Sequence, residues 1–233
     1  MVNIKIADCT FGLETHHTLM ERICADYLCP EPPQVVLHAS EEDMEAMREQ
    51  MPGIPEADCE SCVLHRQVCD HLLRHQVLGF HSAAFAFDGR AVLVTAPSGT
   101  GKSTHSRLWR ERWGERVRVI NDDKPFLRFA DQVYALGSPW CGKEWLQNNI
   151  EAPLSAIIAL HRAPTNSIRR VADTSEAFSL LMPACYRPAS ADGVLQVATL
   201  AARLCSYPVF ALGCTPTQEA VTVVYDALTS LQP

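Results

Sequence analysis

The period of apolar and polar positions changes several times along the chain, and each change marks an element. Val2–Ala7 alternates Val, Ile and Ile with polar residues, the pattern of an edge strand. A helix is expected from His17 to Leu28, stopped by Pro30, Pro32 and Pro33, with a short strand at Gln34–His38 after it. Ser40-Glu41-Glu42-Asp43 has an N-cap residue followed by acids, so a helix should run to about Gln50, before Pro52-Gly53. Asp58–His75 reads as a longer helix. From Val77 the texture shifts to strands: Leu78–Phe87 as one strand, an Asp88-Gly89 hairpin turn, then Arg90–Thr95. A helix from Lys102 to about Trp113 ends at Gly114, and Arg116–Ile120 is the next strand.

The second half continues the mixture. Phe126–Phe129 and Gln132–Ala135 form a hairpin around Ala130-Asp131, Ala156–Leu160 is a buried strand, and Ser167–Val171 another. Thr174–Leu181 is a helix opened by Thr174 or Ser175, Asp192–Cys205 a helix, Pro208–Leu212 a strand and Thr217–Leu228 a closing helix. This order is not a strict βαβ alternation. It predicts an α/β fold with mixed sheets and flanking helices, divided into a small α+β N-terminal lobe (1–76) and a larger domain (77–233).

Composition narrows the function classes. With 47% hydrophobic and 20% charged residues the chain is globular, and its net charge of −7 argues against a broad nucleic-acid-binding face. The N-terminus lacks a basic-then-apolar signal segment, and the apolar run near Leu195–Cys214 is interrupted by Arg203 and Pro208, so a cytoplasmic protein without a membrane span is expected. A homo-oligomer stays open. Ten cysteines in such a chain are expected as reduced thiols. Cys59, Cys62, His65 and Cys69 have a spacing compatible with zinc, with a redox CxxC, or with the buried face of a helix.

The stretch with the most chemistry is Ala96-Pro97-Ser98-Gly99-Thr100-Gly101-Lys102-Ser103, between the strand Arg90–Thr95 and a helix. Glycines let a backbone turn tightly and present its N–H groups to a phosphate, and the helix N-terminus adds unpaired donors and a positive dipole end. Ser98, Gly99, Thr100, Gly101, Lys102, Ser103 and Thr104 are therefore candidate phosphate ligands. Lys102 would reach the β- and γ-phosphates, and the Ser103 hydroxyl would ligate Mg²⁺. Ala96 stands where the usual pattern has a glycine; a solvated Gly/Ser turn is the plain alternative. Asp122-Asp123 follows the next strand, where such proteins place the carboxylate of the metal shell; an ordinary Asx turn is the other reading.

These residues together — His81, Asp88-Gly89, the loop Ala96–Ser103 and Asp122-Asp123 — resemble the catalytic domain of HPr kinase/phosphorylase, whose nucleotide-binding core is shared with ATP-dependent phosphoenolpyruvate carboxykinase. The resemblance covers about residues 78–125. Pro139-Trp140-Cys141-Gly142-Lys143 is similar to a loop of the smaller HPr-kinase-like proteins. It implies an ATP- and Mg²⁺-dependent kinase acting on a hydroxyl, with Asp122 as general base, Asp123 supporting metal and loop, and His81 tuning the acidic pair. Lys143 and Arg162 are candidates for charge on the transferred phosphoryl group. Trp140 would stack on a ligand or anchor the core. The acceptor is a protein or peptide serine or a small molecule. A nucleotide sensor and a plain NTPase are the competing readings.

Overall fold

The computed structural model describes residues 1–230. The chain opens with a hairpin, β1 (Val2–Ile6) and β2 (Cys9–Glu14), joined by a turn in which Ala7 and Asp8 take positive φ, 49° and 68°. The second strand occupies a segment in which the apolar pattern predicts no element. Next comes α1 (Leu19–Ile23), shorter than the helix expected over 17–28, and then β3 (Val35–His38), which pairs parallel with β2. α2 (Glu41–Gln50) is capped by Ser40, whose Oγ accepts from Asp43 N at 3.1 Å. α3 (Glu56–Leu73) is the long helix of this part.

The rest of the chain builds one mixed sheet of nine strands with helices on its faces, an α/β architecture. In order it contains β4 (Val77–Gly79), β5 (Ala83–Phe87), β6 (Arg90–Thr95), α4 (Lys102–Trp113), β7 (Val117–Asn121), β8 (Phe126–Phe129), β9 (Val133–Leu136), β10 (Glu151–Arg162), β11 (Ser167–Arg170), α5 (Thr174–Leu181), α6 (Ala191–Leu204), β12 (Val209–Cys214) and α7 (Gln218–Thr229). β10 is the spine: Glu151–Pro153 pairs antiparallel with β9, and beyond a bulge at Leu154/Ala156 the strand pairs parallel with both β6 and β12. The strand begins five residues before the expected Ala156, through Pro153, a residue that argues against a strand in sequence.

The single strand expected over Leu78–Phe87 is two strands. β4 pairs with β8, whereas β5 pairs with β6 and β7, so the chain changes neighbours between Gly79 and Ala83. Likewise α5 is capped not by Thr174 or Ser175 but by Asp173, whose carboxylate accepts from Ser175 N at 3.0 Å.

Two-residue periodicity divides the strands between two cores. Val92, Val94, Phe85, Ile158 and Leu212 face α4 and α7, meeting Leu108, Trp109 and Val221. Ala91, Leu93, Ala84 and Ile157 face α5 and α6, meeting Leu181, Val197, Leu200 and Leu204. A third core joins β1, β2 and α3 to Val77, Phe126, Leu136 and Trp140. Because β6, β7, β10 and β12 run in one direction and β5 against them, the ends of the first four and the beginning of β5 lie along a single edge.

Candidate active site

That edge collects the chemistry. Between Thr95 and Lys102 the chain turns through Gly99 and Gly101, with φ of 73° and 131°. Side-chain-bearing residues avoid both values. A Cβ built on either glycine would meet nothing within 4 Å, so backbone conformation demands glycine and the space in front is open. Ala96 is not among the residues with positive φ, which is why an alanine is tolerated there. Among the described residues, the N–H groups of Gly101, Lys102, Ser103 and Thr104 have no acceptor. They form the N-terminus of a helix of 12 residues, an arrangement made for an anion. Lys102 is buried and folds back, its Nζ donating to Ala96 O at 3.0 Å. Burial lowers its pKa, partly offset by the Asp123 charge.

The acidic pair is set by Asn121, a fully buried residue at the end of β7. Its Oδ1 accepts from Asp123 N at 2.8 Å and Lys124 N at 2.7 Å, while its Nδ2 donates to the carbonyls of Ser138 and Trp140 at 3.0 and 3.1 Å. One amide therefore ties the turn carrying both aspartates to the loop that follows β9. Asp122 Oδ1 accepts from Gly142 N at 2.5 Å, and Asp122 Oδ2 is buried with no hydrogen-bond partner. Burial raises the pKa of Asp122; the Gly142 N–H opposes that, and the charge of Asp123 adds to it. Asp123 moves the other way. Burial would raise it too, but the hydrogen bond from His81 and the positive charges of Lys124, His81 and Lys102 prevail, and its pKa is lowered.

His81 sits where the chain crosses from β4 to β5. Its N–H donates to Ala184 O at 2.7 Å, its carbonyl accepts from Thr95 Oγ1 at 3.0 Å, and Ser82 N donates to Asp123 O at 3.1 Å. These bonds hold the imidazole Nε2 3.1 Å from Asp123 Oδ1. The structure thus brings His81, Lys102, Asp122 and Asp123 together beside the glycine loop.

Arg162, at the end of β10, also reaches the loop: it donates to the carbonyls of Gly99 at 2.5 Å and Thr100 at 3.3 Å. Its guanidinium is engaged in holding the loop's shape. Lys143 follows Gly142, is exposed, and joins no ion pair among the described residues. Trp140 is a core anchor: it is buried, its Nε1 donates to Ser61 O at 3.1 Å, and its ring lies 4.9 Å from that of His65. A cleft of about 490 Å³ opens beside the loop, bounded by Thr104, Leu108, Leu160, Arg162 and Pro216. Asn121, Ser138 and Thr95 were not singled out from sequence; only the position of Asn121 beside two aspartates, where Asx turns form, hinted at one of them.

Cys59, Cys62, His65 and Cys69 do not converge. Cys59 packs against α2, donating to Met44 O at 3.5 Å, while His65 and Cys69, further along α3, contact each other at 3.5 Å in the core shared with β1 and β2, where burial pushes His65 down to about 3. Helical packing accounts for all four. Among the described residues, no helix is long and apolar enough to cross a membrane.

No protein-family model matches the chain, and no curated protein does. Among solved structures, the Hpr(Ser) kinase/phosphatase from Coxiella burnetii overlaps 66% of this chain and 99% of its own, at 12% identity and a TM-score of 0.39. At that score the overlap carries no functional argument, which leaves function to the site itself.

Proposed function

We propose that the protein is an ATP- and Mg²⁺-dependent kinase that transfers the γ-phosphoryl group to a hydroxyl of a peptide, protein or small molecule. The observation that carries this reading is geometric: the acidic pair, held by Asn121 and by His81, stands beside the open N–H groups at the N-terminus of α4. Two adjacent carboxylates beside a phosphate cradle have pKa values pushed apart, Asp122 up and Asp123 down. Such a separation assigns roles: the first accepts a proton, the second stays charged. Asp122 Oδ2 has no hydrogen-bond partner and would accept the proton of an acceptor hydroxyl once the Gly142 loop that covers it gives way.

The remaining residues fit the substrates. The open N–H groups from Gly101 to Thr104 would receive the phosphates, and Lys102 would leave Ala96 O to follow the transferring group. Ser103 and Asp123 would hold Mg²⁺, which supplies charge neutralisation on the phosphates when bound. The bond from His81 keeps Asp123 ionised for that duty. Arg162 keeps the loop in shape, and the exposed Lys143, next to Gly142, would add positive charge toward the transferring phosphoryl group.

The experiment uses γ-labelled ATP with Mg²⁺ and a fractionated extract offering small molecules, peptides and proteins as acceptors. Label should move into an acid-stable phosphoester with the wild type, and transfer should fall by about 10²–10⁴-fold with Asp122→Asn. Release of free phosphate at one rate with or without every fraction would make the protein an NTPase. Protection of the fold by ATP without consumption would make it a sensor. Lys102→Ala should abolish melting protection by ATP and Mg²⁺; undiminished protection would remove the loop from the site.

A further inference from the structure

A second cluster of chemistry lies away from the phosphate loop. Cys9 opens β2, immediately after the tight turn Ala7-Asp8, and is buried. His71 is in the last turn of α3, and His75 follows the end of that helix, where its N–H still bonds to Leu72 O. The Cys9 sulfur and one ring nitrogen of each histidine lie within 4.8 Å of one another. The imidazoles sit beside each other with centroids 5.1 Å apart, and Phe11 meets His71 edge-on at 5.3 Å. None of the three side chains makes a hydrogen bond among the described residues, so each keeps a donor atom available to a ligand.

We propose that Cys9, His71 and His75 form a zinc site that clamps the β1–β2 turn to the end of α3. A thiolate with two imidazoles is a donor set for a borderline-soft divalent cation, and three protein ligands leave a fourth position for water. Bond lengths of about 2.0–2.3 Å around a tetrahedral ion would set the donors about 3.4–3.7 Å apart. The present spacing is within about 1.5 Å of that, and His75 is exposed, so its side chain has room to turn inward. The site takes the neutral imidazoles as they are; Cys9 binds as thiolate and its proton passes to solvent. The clamp would sit one residue before Gln76, where a positive φ of 60° turns the chain into β4.

The test is zinc binding by the full-length, untagged protein, without nucleotide and in excess Mg²⁺, against a chromophoric chelator. One zinc per chain at micromolar concentration is expected. Removing an outer-shell partner of a metal site typically costs about 10–100-fold in affinity, so loss of a ligand in His71→Ala, His75→Ala or Cys9→Ser should cost at least tenfold. His75→Ala, at an exposed position, keeps the fold and so isolates the ligand effect. Cobalt in place of zinc should give a thiolate-to-metal charge-transfer absorption that disappears in Cys9→Ser and persists in Cys29→Ser. No binding at micromolar zinc, or binding unchanged in His71→Ala and His75→Ala, would overturn the site.

Discussion

Neighbouring carboxylates at a strand end point to different surroundings, and the surroundings of Asp122 and Asp123 differ in a way that has measurable consequences. Asp122 must be ionised to take a proton, and its pKa is raised above the ordinary 3.8, mainly by burial. Its catalytic form is therefore lost as pH falls through that raised value, so the acid limb of kcat/KM, which reports the free enzyme, should have its midpoint above 3.8. Asp122→Asn should remove the limb together with most of kcat while leaving the nucleotide affinity within a few-fold. The same shift fixes the sign of a stability effect. A carboxyl whose folded pKa is raised favours folding below its unfolded pKa, and that advantage is lost as pH rises through the folded one. Asp122→Asn should therefore melt no lower than the wild type near neutral pH without nucleotide, and the difference should shrink on acidification. A clearly lower melting temperature would mean that Asp122 supports the fold rather than the chemistry. Asp123 runs the other way: its pKa is lowered, so its contribution is present above 3.8 and lost as pH falls through the folded value. His81→Gln removes the charge behind part of that depression. It should leave neutral-pH stability within about 1 kcal/mol of wild type while making unfolding begin at higher pH in an acid titration.

At the level of elements, the site depends on one connection that sequence pattern shows poorly. The loop after β9 has no period of its own, yet its backbone supplies the acceptors for Asn121 Nδ2 and the N–H that meets Asp122. Gly142 lies so close that a Cβ there would stand 3.1 and 3.2 Å from the two Asp122 oxygens. Gly142→Ala should displace the carboxylate, lowering kcat by about tenfold with a stability loss of about 1 kcal/mol or less, since only one small group has to give. Unchanged turnover would show that the Gly142 contact does not position the base. The contrast with what the sequence does reveal is physical. The glycine loop, the β5–β6 turn and the strand before the aspartates are local: neighbours in sequence cause them, and periodicity, Asp88-Gly89 and the glycines announce them. The division of Leu78–Phe87 into β4 and β5 is caused by β8, which pairs with the first, and β7, which pairs with the second, both remote in sequence. His81 could be picked out by type, but the crossing that aims it could not. Cys9 with His71 was equally hidden, because the register of a hairpin against a distant helix brings them together. The four-residue Cys/His set on α3 is a cluster only in sequence, because the helix spreads it along its axis and between two cores.

For the molecule as a whole, the question is whether residues 1–76 are a separable lobe. The third core argues that the remaining chain leans on them. Val77, Phe126, Leu136 and Trp140 belong to the part after residue 76, and all four are buried in one cluster with Ile4, Phe11, Leu64, Leu72 and their neighbours. Trp140 also donates to Ser61 O, and Gln196 on α6 donates to Leu73 O. Uncovering four large apolar side chains costs about 1.5–3 kcal/mol each, so about 6–12 kcal/mol in all as an upper estimate. That is comparable to the entire stability of an ordinary domain, about 5–15 kcal/mol. The consequence reaches the site directly. Trp140 anchors the loop whose Trp140 carbonyl holds Asn121 and whose Gly142 N–H holds Asp122, so losing its cover would loosen the acidic pair before the phosphate loop. A fragment of residues 77–233 should therefore be produced insoluble or melt without a cooperative transition, and fail to be protected by ATP and Mg²⁺. Trp140→Ala in the full chain should act in the same direction but less severely, by about 3–5 kcal/mol. A fragment that melts cooperatively and binds ATP as the full chain does would establish residues 1–76 as an independent lobe, and would move their role from completing the fold to serving the acceptor.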